Sequence, residues 1–476
     1  MFPLGHACIG HFVSFLFRNL KEVYLTAWPF SITQVLRWLV ACAVLLKLCE
    51  NKWFEQYDVD CFLGIRYGNS VLEKTMIARP YYLDWLGRWR DKDVIKVVTG
   101  LRRCGKSTLF HLYRQKLIES GVAENQIIAL DFEDPEFGFL QTYADVWEHL
   151  KSRIVSGRKT YVFLDEVQRV SEFERLVDGL YFKKNLDVYI TGSNAYMLSG
   201  ELATFLSGRY VEIQMMPLSF SEYAQGVSTA GGYLEHYRDY LRFSSFPYAV
   251  SLNKDAAMVQ DYLAGIFKTV LMKDIVTRKN IRDVPLLERV VRFLFDNVGN
   301  LTSLRKVRDT MESSGSKISQ HTLESYAEAL CETFLLYRAG RYDVKGKELL
   351  RTGYKYYAAD IGLRHYLLGG RGGDDGRILE NIVFLELKRR SREVFVGKVG
   401  NAEVDFVTRD GDNLCYYQVA ASVIDAGTLA RELAPLDAIK DHHPKRLITL
   451  DYSLPTSHNG IRQLNALDFL LGKDGC

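Results

Sequence analysis

Ile95-Lys-Val-Val-Thr-Gly100-Leu-Arg-Arg-Cys-Gly-Lys-Ser107 is the stretch from which the fold is read. A short β-rich run, Ile95–Thr99, leads straight into Gly100-Leu-Arg-Arg-Cys-Gly-Lys-Ser107, which fits G-x-x-x-x-G-K-[ST] without a mismatch. The chemistry accounts for the spacing: the glycines let backbone N–H groups curl around phosphates, a lysine reaches the β/γ oxygens, and a hydroxyl ligates Mg²⁺. Leu109, Leu112 and Leu117 then fall on one face of a helix, whose positive N-terminal dipole points at the anion. This strand–loop–helix context separates the match from an ordinary glycine-rich turn. The expected ATP-binding set is Gly100, Leu101, Arg102, Arg103, Cys104, Gly105, Lys106, Ser107 and Thr108, with Ser107 on Mg²⁺.

Further along, the pattern stays that of an alternating α/β domain. Ile127–Asp131 reads as a second strand leading into the acidic turn Phe132-Glu-Asp-Pro-Glu-Phe-Gly138. Tyr161-Val-Phe-Leu-Asp-Glu166 is an apolar run ending in two carboxylates, the form of a buried parallel strand whose C-terminal end meets a crevice. Asp165 is expected to hold Mg²⁺ and Glu166 to act as the base that orients and polarises water. Leu186–Thr191 is the next strand, ending in Gly192-Ser-Asn194, where Asn194, with Ser193, is the candidate γ-phosphate sensor. Arg209, in Leu206-Ser-Gly-Arg-Tyr210, is read in two ways: an arginine offered to a neighbour's γ-phosphate, or a member of a surface salt bridge.

These motifs, with Pro217-Leu-Ser-Phe-Ser-Glu-Tyr223 and Thr269-Val-Leu-Met-Lys-Asp-Ile275, resemble in their order the prokaryotic AAA-type ATPases that carry a C-terminal domain of unknown function. The resemblance covers roughly residues 76–452. It implies an ATP-binding protein with an AAA-like core.

Composition bounds the rest. With 476 residues, at about 150 per domain, about three domains are expected. Hydrophobic residues at 47% and charged residues at 25% exclude a largely disordered, collagen-like or polytopic membrane chain. A net charge of +3 offers no global basic field, so nucleic-acid contact would need a local patch. The eight cysteines have no metal-site or disulfide-scaffold spacing, which points to a reducing cytoplasm and no structural metal. Residues 1–75 differ in character, with aromatic and aliphatic runs such as His11–Phe17 and Trp38–Leu46 broken by cations. These runs are too short for stable membrane insertion and unlike a signal peptide. They are read either as an interfacial anchor or, with Met76 as an alternative start, as a dispensable extension.

After the AAA-like domain (76–225) and a helical connector (226–282), the reading divides the chain again. Residues 283–365 carry a winged-helix pattern: a helical stripe Leu287, Val290, Val291, Leu294 and Val298, helices over 301–311 and 319–330, then wing strands at 334–338 and 354–357. The would-be recognition helix has Glu324 and Glu328 beside Gln320 and His321, where DNA readers usually place Arg, Lys or Asn. Arg305, Lys306, Arg308, Arg338 and Arg341 are the candidate phosphate contacts if DNA is bound, and the alternative is a partner-binding module. Gly369–Gly376 reads as a flexible linker. Residues 376–455, before a tail at 456–476, are similar to the PD-(D/E)xK nuclease core, with Glu386 (or Glu380), Asp405 and Gln418 as a second Mg²⁺ set. Ala420 stands where that pattern wants lysine, for which Lys388 or Lys398 are the candidate substitutes. A degenerate nuclease fold used for binding is the favoured reading.

The expected fold is therefore α/β: a P-loop AAA-like parallel sheet, a winged-helix module and a C-terminal α/β nuclease-like domain. The expected activity is Mg²⁺-dependent ATP hydrolysis by a cytoplasmic protein, with homo-oligomerisation open. Its use is either as a switch or remodeller of a protein partner, as a DNA-acting ATPase or nuclease, or as a nucleotide-locked scaffold. Cys104 is read either as a thiolate stabilised by the loop, whose oxidation would block nucleotide binding, or as a small residue that fits.

Overall fold

The computed structural model describes residues 76–198, 206, 208–227, 231–370, 374–452 and 456–473. The readings of residues 1–75, of Ser207, of linker residues 371–373 and of tail residues 474–476 lie outside them.

Five strands, β1 (Ile95–Gly100), β2 (Ile127–Asp131), β3 (Thr160–Asp165), β4 (Leu186–Gly192) and β5 (Tyr210–Met215), form an all-parallel sheet in the order β2-β3-β4-β1-β5. The sequence dictates that order through burial. β1, β3 and β4 are buried at every position and mostly apolar, with Lys96 of β1 paired to Asp187 of β4; β2 and β5 have part-exposed positions and take the edges. Alternate side chains then feed two cores. Phe163 and Tyr189 stack at 4.7 Å beneath Phe110 and Tyr113 of helix Lys106–Glu119. Val97, Val162, Leu164, Val188 and Ile190 face the other way, onto Val146 and Leu150 of helix Tyr143–Lys151 and Leu176, Val177 and Leu180 of helix Phe173–Tyr181. The chain leaves β1 for the far edge and returns to place β4 between β3 and β1. The carboxyl ends of β1, β4 and β3 thus meet at one crevice, where α/β sheets place their ligands.

Helices Phe220–Gly226, Tyr233–Phe243, Pro247–Val250 and Ala256–Thr269 follow, and the last continues as a π-helix, Val270–Thr277. Beyond it lie helices Val284–Asp296, Leu304–Ser313 and Gln320–Glu332. The helix expected from residue 301 begins three residues later. Leu301 and Thr302 are instead a short strand, β6, paired with Tyr354 and Lys355, because Ser303 takes an extended conformation ahead of the helix.

A nine-stranded mixed sheet completes the fold. Its strands are β6, β7 (Leu336–Asp343), β8 (Glu348–Ala358), β9 (Glu393–Val399), β10 (Ala402–Asp410), β11 (Asn413–Ala420), β12 (Lys445–Thr449), β13 (Ser457–His458) and β14 (Ile461–Asn465). The order is β13-β14-β12-β11-β10-β9-β7-β8-β6. β7 pairs antiparallel with β8 and parallel with β9, so the strands read as a wing and those read as a C-terminal core are one sheet. Helix Asp375–Arg390, buried continuously from Ile378 to Leu387, packs on it. The glycine-rich stretch is correspondingly shorter as a linker than its composition suggests. Asp374 is tied to Arg364 at 2.7 Å, and Asp375 and Gly376 already lie in the helix's first turn. Among the described residues, no helix is long and apolar enough to cross a membrane.

Candidate active site

Gly100 ends β1 at φ +152°, where an added Cβ would stand 2.1 Å from the Met215 carbonyl oxygen, so no other residue fits. Gly105, at φ +104°, turns the chain into helix Lys106–Glu119. The five-residue turn between strand and helix therefore forms a cradle at a helix N-terminus, where unpaired N–H groups and the dipole favour an anion. Lys106 starts the helix and folds back across the loop. Its Nζ donates to the carbonyl oxygens of Gly100 (3.1 Å) and Leu101 (3.4 Å) and lies 3.2 Å from Glu166 Oε1. Arg103, Ser107 and Thr108 are exposed at the mouth.

Two neighbouring strands supply the facing wall. The Asp165 carboxylate, at the end of β3, is hydrogen-bonded by the hydroxyls of Ser107 and Thr191. Burial pushes its pKa up to about 6 against the lowering effect of those hydroxyls. An exposed hydroxyl beside a carboxylate, next to a phosphate cradle, is a donor set suited to Mg²⁺. Glu166 follows in the left-handed region, φ +52°, costly for a residue with a side chain and held there by the Thr191 hydroxyl, which accepts its N–H at 2.8 Å. Burial acts to raise the Glu166 pKa, but Lys106, Gln168, Arg102 and Ser193 together hold it below the usual glutamate range. Glu166 is thus an ionised carboxylate at the loop, with Gln168 Nε2 donating to its Oε2 at 2.5 Å.

The crevice thus brings together Lys106, Ser107, Asp165 and Glu166 as the sequence led one to expect, and adds Thr191 and Gln168. Ser193 reaches the Glu166–Gln168 pair, its Oγ 3.4 Å from Gln168 Nε2. Asn194 instead spends its side-chain oxygen on the Met197 N–H, at 3.0 Å. Cys104 is fully buried, its thiol donating to the Met215 carbonyl at 3.4 Å, and burial pushes its pKa up. The reactive-thiolate reading is therefore overturned: the loop's positive field does not outweigh desolvation, and Cys104 is the small residue that fits. Arg209 lies at the other end of the sheet. Its carbonyl accepts from Ile95 N at 2.9 Å, and its guanidinium pairs with Asp178 at 2.5 Å beside the Tyr181 and Phe182 rings.

A brace the sequence did not single out supports the loop. Arg79 is buried, donating to the Cys104 carbonyl (3.1 Å), the Met216 carbonyl (2.8 Å) and Glu222 Oε1 (2.7 Å). Glu222 in turn completes a reciprocal cap with Ser219, which gives the Pro217–Tyr223 motif its physical meaning.

Of the two helical acids expected beside Asp405, Glu380 shares Lys355 with it and Glu386 does not. Glu386 does not join Asp405; it pairs with Arg390 at 2.7 Å and Arg389 at 3.6 Å. Six residues along a helix turn the face by about 240°, which takes Glu386 away from the side that Glu380 occupies. A lysine of β8 stands among these carboxylates. Lys355 Nζ, on β8, lies 2.9 Å from Glu380 Oε1, 2.8 Å from Glu403 Oε1 and 3.9 Å from Asp405 Oδ1. Lys388 sits instead over the Tyr337 ring, and Lys398 lies opposite Glu403 on β9. Gln418 approaches Asp405 N at 3.4 Å and donates to Glu432 at 2.9 Å. The residues therefore form a lysine-centred ion cluster. Among the described residues, no group of three or more His, Cys, Asp or Glu side chains is arranged to hold a metal ion. Of the candidate phosphate contacts, Arg308 pairs with Asp309 and Arg338 lies over Tyr354, while Arg305 and Lys306 are exposed.

The parallel-sheet part, with its phosphate loop, agrees with the family model that matches it. Residues 92–224 match the family model of an AAA domain, and residues 234–373 that of a domain of unknown function. An uncharacterized protein of Haemophilus influenzae is 39% identical over 404 residues, covering 84% of this chain and 100% of the relative. One of Methanocaldococcus jannaschii is 28% identical over 366 residues, covering 73% and 79%. Among solved structures, a Walker-type ATPase of Pyrococcus abyssi aligns with a TM-score of 0.44 at 16% identity, covering 61% of this chain and 96% of that one. The Cdc6 protein of Pyrobaculum aerophilum aligns at 0.28 and 9%, covering 63% and 97%.

Proposed function

Since this chain belongs to the AAA-type ATPases that carry a C-terminal domain of unknown function, we propose that it hydrolyses ATP to ADP and phosphate in a Mg²⁺-dependent reaction and uses the cycle to switch or remodel a protein partner. The observation that carries this reading is the convergence of Lys106, Ser107, Asp165 and Glu166, from one strand end and a helix start, on one crevice. In the proposed roles, the loop N–H groups and Lys106 hold the β/γ-phosphates, and Ser107 and Asp165 hold the metal. Bound there, Mg²⁺ neutralises charge on the transferred phosphoryl group. Glu166 takes a proton from the attacking water as its oxygen bonds to the γ-phosphorus and the bond to the ADP oxygen breaks. Gln168 and Ser193 fix the Glu166 carboxylate. Thr191 sets the backbone of Glu166 and the carboxylate of Asp165 together, a positioning role. Arg209 is proposed to act on the site of a second copy, because its own loop lies the length of β1 away.

A protein partner is favoured over DNA by the exposed face of helix Gln320–Glu332, which carries Glu324 and Glu328 and would repel phosphates. We read the three-helix unit with β7 and β8 as a winged helix used for partner binding, and the C-terminal part of the sheet as a nuclease-like fold used without cleavage. Ala420, on the strand where the nuclease pattern places its lysine, supports the latter reading.

The test is ATP turnover by the full chain with Mg²⁺, with and without mixed-sequence DNA. Glu166→Gln is expected to lower turnover by roughly 100-fold or more while keeping ATP affinity. Lys106→Ala is expected to lose nucleotide binding. Turnover that is undiminished in Glu166→Gln refutes the assignment of the base. Turnover stimulated by DNA overturns the choice of partner.

A further inference from the structure

Arg102 has a place in the site that the phosphate-loop motif does not specify. It is the second residue after Gly100, and its guanidinium is almost enclosed by carboxylates. Nε and Nη2 donate to the two oxygens of Asp274 at 3.1 Å each, and Nη1 donates to Glu133 Oε1 at 2.6 Å. Glu133 follows β2 at the carboxyl edge of the parallel sheet and is shared with Arg169 at 2.7 Å. Asp274 comes from elsewhere: the π-helical run Val270–Thr277, which belongs to the part of the chain matching the domain of unknown function. The Thr277 hydroxyl donates to the Met272 carbonyl five residues back, at 2.8 Å. π-Helix is rare, occurs mostly as single-turn bulges, and recurs at functional sites. Here eight residues of it present an aspartate to the phosphate loop.

The charges define what this contact can do. Lys106 faces Glu166, and the Arg102 fork faces Asp274, so two of the loop's three cations are already balanced by carboxylates, while Arg103 is exposed at the mouth. A planar guanidinium fork binds carboxylate and phosphate by the same two-pronged geometry. One fork cannot serve both at once. ATP offers a terminal phosphate and one more negative charge than ADP, and the Arg102 charge is near enough to Glu166, where hydrolysis is proposed to occur, to help lower that carboxylate's pKa.

We propose that Arg102 is the side chain that distinguishes a triphosphate from a diphosphate, and that Asp274 is its intramolecular competitor. The γ-phosphate takes the fork, Asp274 is released, and the π-helical segment passes the nucleotide state to the helices that follow. This inference rests on the nucleotide reading above and adds to it the residue that senses the γ-phosphate and the element that relays it.

The experiment measures equilibrium binding of a non-hydrolysable ATP analogue and of ADP, each with Mg²⁺, to the full chain and its variants. Asp274→Asn keeps the shape and removes the competing charge, and is expected to tighten the ATP analogue about ten-fold while changing ADP by less than about two-fold. Arg102→Lys keeps the charge without the fork, and is expected to bring the ATP:ADP affinity ratio toward one. Hydrogen exchange at amides 270–277 is expected to be faster with the ATP analogue than with ADP in the wild type, and equal in Arg102→Lys. The inference is overturned if both variants keep the wild-type ratio, or if exchange at 270–277 ignores the nucleotide, in a protein that binds both nucleotides and loses them in Lys106→Ala. If the wild type binds neither nucleotide, the site assignment itself has failed, and this inference with it.

Discussion

Asp165 sits at the point where binding and stability oppose each other. Its pKa is pushed up to about 6 by burial, from an ordinary aspartate value near 4. A raised folded-state pKa contributes stability that is fully present below the unfolded value and is lost as pH rises through the folded one. For Asp165 that window is roughly pH 4 to 6, and the two-unit shift corresponds to about 3 kcal/mol. Asp165→Asn is therefore expected to stabilise the nucleotide-free protein at pH 8 by about 1–3 kcal/mol, and to lose that gain near pH 4. The same change is expected to abolish Mg²⁺-dependent ATP binding. Urea denaturation at the two pH values, with binding measured in parallel, tests both; equal stability of the two proteins at pH 8 defeats the argument. Lys106, Ser107, Asp165 and Glu166 were legible in the sequence because backbone geometry ties each to a strand end or a helix start. Thr191, Gln168, Glu133 and Asp274 were not, because ordinary polar residues acquire a role only from the side chain that folding places beside them. Thr191, Glu133 and Asp274 did stand inside stretches with a recognisable pattern, but nothing in their spacing said what they touch.

At the scale of the element, the loop is held by a segment that precedes the first strand. Arg79 joins the Cys104 carbonyl to Glu222, the carboxylate that also closes the cap of helix Phe220–Gly226. Arg79→Met leaves Glu222 buried without its cation and is expected to cost about 3–5 kcal/mol. The double variant Arg79→Met/Glu222→Gln should recover part of that loss, since no uncompensated charge remains. Denaturant midpoints of the wild type, the single and the double variants measure it. A double variant no more stable than Arg79→Met would show that packing, and not charge, dominates. Elements with strong burial patterns were readable, as in the wholly buried β3 and β4. The start of helix Leu304–Ser313 was not, because Leu301 and Thr302 suit either a helix or a strand until β8 offers a partner. At the end of the glycine-rich stretch composition suggests chain freedom, whereas Asp374 is tied to Arg364 and Asp375 opens a helix.

At the scale of the whole molecule, the position of Arg209 makes a prediction about assembly. Its carbonyl is bonded to the first residue of β1, so the length of that strand, roughly 20 Å at 3.3 Å per residue, separates it from its own phosphate loop. If it serves hydrolysis, it serves a neighbour. Arg209→Ala alone is expected to lower turnover by roughly 100-fold or more. Stability should change little, because the pair with Asp178 is partly exposed. Mixing Arg209→Ala with Lys106→Ala should restore part of the activity, since the second variant supplies the arginine and the first the intact loop. Full activity in Arg209→Ala, or no recovery on mixing, would assign Arg209 to its surface ion pair alone.

The sequence by itself determined the parallel sheet, the phosphate loop and the two acids of β3. Each is a local pattern in which burial period, glycine backbone freedom and motif spacing all point to one answer. The tertiary structure decided which carboxylates face which cations. It set Asp274 on Arg102, gave Lys355 rather than Lys388 or Lys398 to Glu380 and Asp405, and turned Glu386 away toward Arg390. Coulombic partners are chosen by distance in space, and residues 102 and 274 become neighbours only once both parts of the chain have folded.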